Sequence, residues 1–123
     1  MADDLVGGVS YVSVDGYNLT LGQGQHNIDL GMTEVESVPA LSGGAAGFIE
    51  RGKVPFIEVE GLNTVEQRIE YLQGIRNAKV VSELANGKIA VLRGARVAGS
   101  IAVDANAGTM AIRFEGKSGE WIE

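Results

Sequence analysis

The sequence predicts a mainly β protein: two packed antiparallel sheets, a β-sandwich or small barrel, with one flanking α-helix. Asp15-Gly16 and Asn86-Gly87 each sit between apolar runs, and such dipeptides supply the positive φ that a two-residue hairpin turn requires. Met110, Ile112 and Phe114 alternate strictly with Ala111, Arg113 and Glu115, the period of a half-buried strand. Only residues 64–73 show helical spacing, with Val65, Ile69 and Leu72 on one stripe.

Residues 8–14 form the first strand, with Val9, Tyr11 and Ser13 on one face and Ser10, Val12 and Val14 on the other. The Asp15-Gly16 turn leads into a strand at 17–21. Residues 22–26, G-Q-G-Q-H, are a polar connector in which His26 reads as a loop histidine, and a short strand follows at 27–30. Over 34–38 the pattern alternates, with Glu34 and Glu36 on one face. Residues 39–52, P-A-L-S-G-G-A-A-G-F-I-E-R-G, show neither period and are expected to be a long glycine-rich loop or arm. Phe48 and Ile49 near its end are too apolar for a merely solvated linker. Residues 53–61 return as a strand whose Glu58 and Glu60 share a face, and Pro55, lacking an N–H, belongs at an edge or bulge.

The helix is expected over about 64–74, capped by Asn63 or Thr64 with Glu66 or Gln67 as reciprocal partner, and stopped by Gly74. Such a short helix is marginal alone, so its stripe must dock on a sheet. In the second hairpin a two-residue turn sets Leu84 opposite Ile89, Ser82 opposite Val91 and Val81 opposite Leu92. Both faces of that pairing carry apolar residues, so each needs a cover. Strands at 95–103 and 109–115 follow, joined around Asn106-Ala107-Gly108. Residues 116–123 read as a tail whose Trp121-Ile122 pair is either a clamp on the core or an interface contact. The sum is about eight short strands and one helix, the count of a sandwich or barrel.

The 123 residues suit one domain, and their 45% apolar content is enough for a core. The absence of cysteine excludes disulfides and thiolate chemistry, and one histidine cannot form a histidine cluster. A net charge of −6, with the basic residues scattered, argues against binding to nucleic-acid phosphate. The acidic start, M-A-D-D-L-V, leads into no long apolar run, so neither a signal peptide nor a membrane anchor is expected and synthesis in the cytoplasm is.

Chemistry-bearing motifs fail on their own requirements. Gly116-Lys117-Ser118 echoes the end of a phosphate loop, but Ala111 stands where glycine is needed and too little chain follows for a helix. Gly22-x-Gly24 lacks the third glycine of a dinucleotide fingerprint, because Asn27 stands there. No calcium-loop spacing is present. The carboxylate pairs Glu34 with Glu36 and Glu58 with Glu60 admit three readings: solvated strand faces, the acidic lining of an assembled channel, or paired catalytic or metal-binding acids. What remains is a chain of two-sided apolar strands and edges that need partners, the profile of an assembly subunit.

Four stretches carry a resemblance: Y-V-S-V-D-G (11–16), V-P-F-I-E-V-E-G (54–61), E-L-A-N-G-K-I-A-V-L-R-G-A-R-V-A-G (83–99) and R-F-E-G-K-S-G-E (113–120). In order and spacing, over nearly the whole chain, they resemble the tail tube proteins of Mu-like contractile-tailed phages. The resemblance implies a tail-tube fold, and hexameric rings stacked into a hollow tube through which the genome passes, with no enzyme and no cofactor. It implies a homo-oligomer in the virion tail, with tail sheath, baseplate and tail terminator proteins as partners. It places at 39–52 an arm that reaches neighbouring subunits, with Leu41, Phe48, Ile49 and Arg51 as contacts. Glu34, Glu36, Glu58 and Glu60 facing the lumen would repel phosphate, so that DNA slides without specific binding. Two alternatives stay open: the inner tube of a related contractile injection system or phage-derived bacteriocin, and a monomeric ligand- or carbohydrate-binding β-sandwich.

Overall fold

Turn chemistry sets the first pairing. β1 (Val9–Val14) and β2 (Tyr17–Asn18) are joined by Asp15 and Gly16 at φ 50° and 86°, so Val14 lies opposite Tyr17. The Asp15 carboxylate accepts the Lys79 N–H at 2.9 Å and the Asp15 N–H donates to the Lys79 carbonyl at 2.9 Å, tying the turn to β7 (Ala78–Leu84). The computed structural model describes residues 6–123, and most of the acidic start lies outside the described residues.

The second hairpin joins β7 to β8 (Ile89–Val97), and its register differs by one residue from that expected. Glu83 lies opposite Ile89, Ser82 opposite Ala90, Val81 opposite Val91 and Val80 opposite Leu92. The loop holds three residues rather than two: the Gly87 N–H donates to the Leu84 carbonyl, the Leu84 N–H to the Lys88 carbonyl, and only Gly87 has positive φ, 94°. A type I turn closed by a left-handed glycine competes with the two-residue turn at such dipeptides, and a one-residue slip re-sorts every facing pair. The real register sorts the faces better. Val80, Ser82, Ala90 and Leu92 are buried inward, while Val81, Glu83, Ile89 and Val91 form the outer face.

β8 is one strand where a break was expected near Gly94. It runs through that residue, at φ 64°, with a shift of register between Ala78 and Val80. Its first half pairs with β7 and β11 (Ser118–Ile122), and its end pairs with β10 (Thr109–Glu115), so β8 belongs to both sheets. The expected tail at 116–123 is therefore largely a strand, with Trp121 opposite Ala90. β10 also pairs with β9 (Ala102–Asp104) and with β6 (Phe56–Leu62), whose other edge carries β3 (Asn27–Asp29). Val14, Val80 and Leu92 from one sheet and Ile57, Ile112 and Phe114 from the other meet in one core cluster, the arrangement of a β-sandwich.

The helix is shorter than expected. α1 spans Ile69–Gln73, with Arg68 at its N-cap and no side-chain cap, and Gly74 at its C-cap. Leu72 is fully buried and Ile69 packs on the core, but Val65 is 96% exposed. Gln67 is the reason: its side chain is drawn inward to 3% exposure, away from any capping position. Its Oε1 accepts the Thr20 N–H at 2.8 Å, and its Nε2 donates to the carbonyls of Thr20 (3.1 Å) and Leu62 (2.7 Å). Gln67 thus staples the segment after β2 to the end of β6.

Candidate assembly surfaces

Residues 39–52 are not a structureless loop. β4 (Thr33–Pro39) and β5 (Ala45–Gly52) form a hairpin paired from Thr33↔Gly52 to Pro39↔Ala45. Its turn is closed by the Ala40 N–H donating to the Gly44 carbonyl at 2.9 Å, with Gly43 and Gly44 at φ 99° and 74°. The partner numbers from Thr33↔Gly52 to Val38↔Gly47 add to the same total as Asn27↔Glu58, Ile28↔Ile57 and Asp29↔Phe56. The arm is therefore an outward extension of the β3–β6 pair in unbroken register, and the Lys53 N–H donating to the Met32 carbonyl at 3.0 Å keeps it across the gap. The ladder is interrupted where Leu30 faces Pro55, which has no N–H to give.

The base of the arm is fastened. Lys53 and Asp29 form an ion pair, and the Gly31 N–H donates to Asp29 at 3.1 Å. The Lys53 hydrogen bond, then that of Gly31, holds the Asp29 carboxyl below its ordinary value. Buried Leu30 packs where a Cβ on Gly119 would fall, 2.9 Å from its nearest methyl, and the Gly116 N–H donates to the Pro55 carbonyl at 3.2 Å.

Beyond that base the hairpin stands clear of the core. Leu41 is at the tip, fully exposed. Val35 (66% exposed) and Phe48 (69%) lie on one face, and Ile49 (42%) and Arg51 on the other, where Arg51 donates to Glu36 at 2.9 Å. Leu41, Phe48, Ile49 and Arg51 thus share the arm but not one face, because neighbouring strand residues alternate. An isolated two-stranded hairpin is marginal in water, and one with apolar side chains on both faces leaves surface that a partner would cover.

The four glutamates separate into two places. Glu34 and Glu36 are on β4 in the arm; Glu58 and Glu60 are on the outer face of β6. Glu58 pairs with Arg113 at 3.1 Å, and Arg113 also donates to Glu115 at 2.9 Å and lies over the Phe56 ring at 3.8 Å. The hydrogen bond to Glu115 is the chief cause of a raised Arg113 pKa. Glu60 turns aside to accept the Gly24 N–H, and side chains on Gly22 or Gly24 would collide with it.

His26 is more than a loop histidine. Its Nε2 shares a 2.9 Å hydrogen bond with the Oγ of fully buried Ser82, while its Nδ1 is buried without a partner. Burial lowers its pKa from 6.5. It lines an open groove of about 880 Å³ together with Tyr11, Leu21, Ile28, Glu60 and Trp121. Among the described residues no three His, Asp or Glu side chains converge as a metal site. Neither the Gln67 staple nor the His26–Ser82 pair is visible in local patterning, since each joins residues far apart in the chain.

The fold and this surface define the class: an antiparallel β protein whose longest hairpin holds its apolar side chains outside the core. Comparison with family models supplies the rest, for the model of the phage tail tube protein family matches residues 4–121. The chain belongs to the phage tail tube protein family. Comparison with curated proteins gives no match. Family membership makes the chain a structural component of the virion tail, assembling with other tail proteins into the tube.

Proposed function

We propose that the chain forms hexameric rings that stack into a hollow tube, and that the tube conducts the genome during ejection. One observation carries this reading: the β4–β5 hairpin is exposed on both faces, with Phe48 and Ile49 uncovered, in a chain that the tail tube family spans from residue 4 to 121. Tail sheath, baseplate and tail terminator proteins are its partners in the tail. A hairpin of seven paired positions reaches about 23 Å from the body at the rise of a β-strand, far enough to cross into a neighbouring subunit.

The lumen is lined by the outer face of β6 and β10. There Glu58, Glu60 and Glu115 outnumber Arg113 and the Arg96 that lies across from Glu115 on β8, so the surface repels phosphate, and DNA passes without the counterion release that makes binding tight. Glu34 and Glu36 travel with the arm instead. Electron microscopy of the purified protein tests the assembly: hollow tubes of stacked six-fold rings are expected, and a protein that remains monomeric at high concentration refutes it. The double substitution Glu58→Lys and Glu60→Lys tests the lumen. Tubes should still form while genome delivery falls, and undiminished infectivity would reject this lining.

A further inference from the structure

We infer that the outer face of β7, β8 and β11 is the docking surface for the β4–β5 hairpin of a second copy of this chain. The inference rests on the tube reading and names the two surfaces that meet. Register defines this face: one row holds Ser13, Val81, Val91 and Glu120, the next Tyr11, Glu83, Ile89 and Ile122. It mixes apolar side chains with Ser13, Glu83 and Glu120, and although Val91 is buried its two edges are open. Tyr11 is 37% and Ile122 50% exposed, and α1 cannot cover them because its buried Leu72 joins the core cluster on the opposite side.

The rim of this face concentrates positive charge. At the register shift in β8, Lys79 on β7 lies across from Arg93 and Gly94. The stem of Lys117 lies over Gly94, 3.1 Å from where a Cβ would stand. Lys79, Arg93 and Lys117 are all exposed, and they are three of the ten basic residues in a chain of net charge −6. Arg93 is paired with Glu120; among the described residues Lys79 and Lys117 make no ion pair.

The arm has the complementary character. It carries Glu34, Glu36 and Glu50 against Arg51, and only Glu36 is paired with that arginine. Its Val35 and Phe48 face also presents Glu50, which pairs across the hairpin with Val35. Laid on the sheet, Val35 and Phe48 meet Val81, Ile89 and Ile122, while Glu50 on the same face reaches the basic rim. Apolar surface at the centre with opposite charges at the rim is how specific interfaces are built. The contact joins two different surfaces, so it propagates from copy to copy instead of closing into a dimer, as a stacked tube requires.

The chain has no cysteine, so single introduced thiols report the contact cleanly. Phe48→Cys and Val81→Cys proteins are mixed, assembled and oxidised, with Val65→Cys as the control partner because Val65 is exposed but off the face. A disulfide between the Phe48→Cys and Val81→Cys chains, and none to Val65→Cys, is expected. Lys79→Glu with Lys117→Glu should raise the concentration needed for assembly about tenfold, and Glu50→Lys in the same chain should recover part of it. Tubes assembled from the mixed Phe48→Cys and Val81→Cys chains that form no cross-link, or full assembly by the double-glutamate variant, would overturn this docking and leave the tube reading standing. Loss of duplex DNA binding by that variant, with assembly unchanged, would assign the patch to nucleic acid and also overturn it. A wild-type protein that makes no tubes would overturn the tube reading itself.

Discussion

Replacing both Phe48 and Ile49 by serine should block tube growth while leaving the subunit folded. Fully burying such a side chain stabilises by about 1.5–3 kcal/mol. Phe48 still exposes 69% of its surface and Ile49 42%. Scaling by the part left to bury gives about 2 kcal/mol for Phe48 and about 1 kcal/mol for Ile49 per contact. Together, about 3 kcal/mol raises the critical concentration for assembly about 100-fold, since 1.4 kcal/mol is tenfold. Phe48→Ser alone should account for most of it, about 30-fold. Neither residue belongs to the core cluster, so urea unfolding of the subunit below its assembly concentration should shift by no more than about 0.5 kcal/mol. Sedimentation across a concentration series measures the first quantity. A double variant that polymerises within about threefold of wild type would refute the reasoning, because that little corresponds to well under 1 kcal/mol.

Gln67→Ala separates a staple from a cap. Loss of a helix cap costs about 1 kcal/mol, whereas here three hydrogen bonds go and the Thr20 N–H loses its acceptor, so about 3 kcal/mol is expected. Thermal unfolding would read that as a fall of roughly 10 °C, and a fall of less than about 4 °C would restore the capping role. His26 titrates below its ordinary value of 6.5 in the folded chain, so the unfolded chain binds the extra proton first as pH falls. Its contribution is complete above 6.5 and is lost as pH drops from there through the folded pKa. His26→Gln should remove that part of the slope, and superimposable stability profiles for variant and wild type from neutral to mildly acidic pH would contradict it.

Where one face of a strand is buried, the sequence showed it. Met110, Ile112 and Phe114 alternate because the core lies on one side of β10, and all three are at most 2% exposed. The arm was illegible for the same reason reversed: β5 has solvent on both faces, so nothing imposed a period on A-A-G-F-I-E-R-G. The register of the β7–β8 hairpin hinged on whether Ala85 belongs to the strand or the turn, a choice that Asn86-Gly87 permits both ways. The site was half legible. Leu41, Phe48, Ile49 and Arg51 do lie on one projecting element, but their division between faces follows only from the strand. Glu58 and Glu60 share a face as alternation required, whereas their separation from Glu34 and Glu36 is a matter of tertiary geometry.

Because the arm is the β3–β6 pair carried outward, its direction is set by the sheet and not by a flexible loop. A force on the tip passes down two hydrogen-bonded strands to the interruption at Leu30 and Pro55. At that point the load leaves the ladder and enters the body by other routes. Leu30 presses on β11 through the space that Gly119 leaves open, and the Pro55 carbonyl accepts from Gly116, two residues before the same strand begins. The Asp29–Lys53 pair holds the two strands of the ribbon together just where Pro55 cannot donate. β11 is thus in contact with the base of its own arm, and its outer face is the surface inferred to receive another copy's. An arm seated on β11 of one subunit would therefore be braced against the element that anchors that subunit's own arm. Such a chain of contacts runs from copy to copy through the rigid parts of each fold.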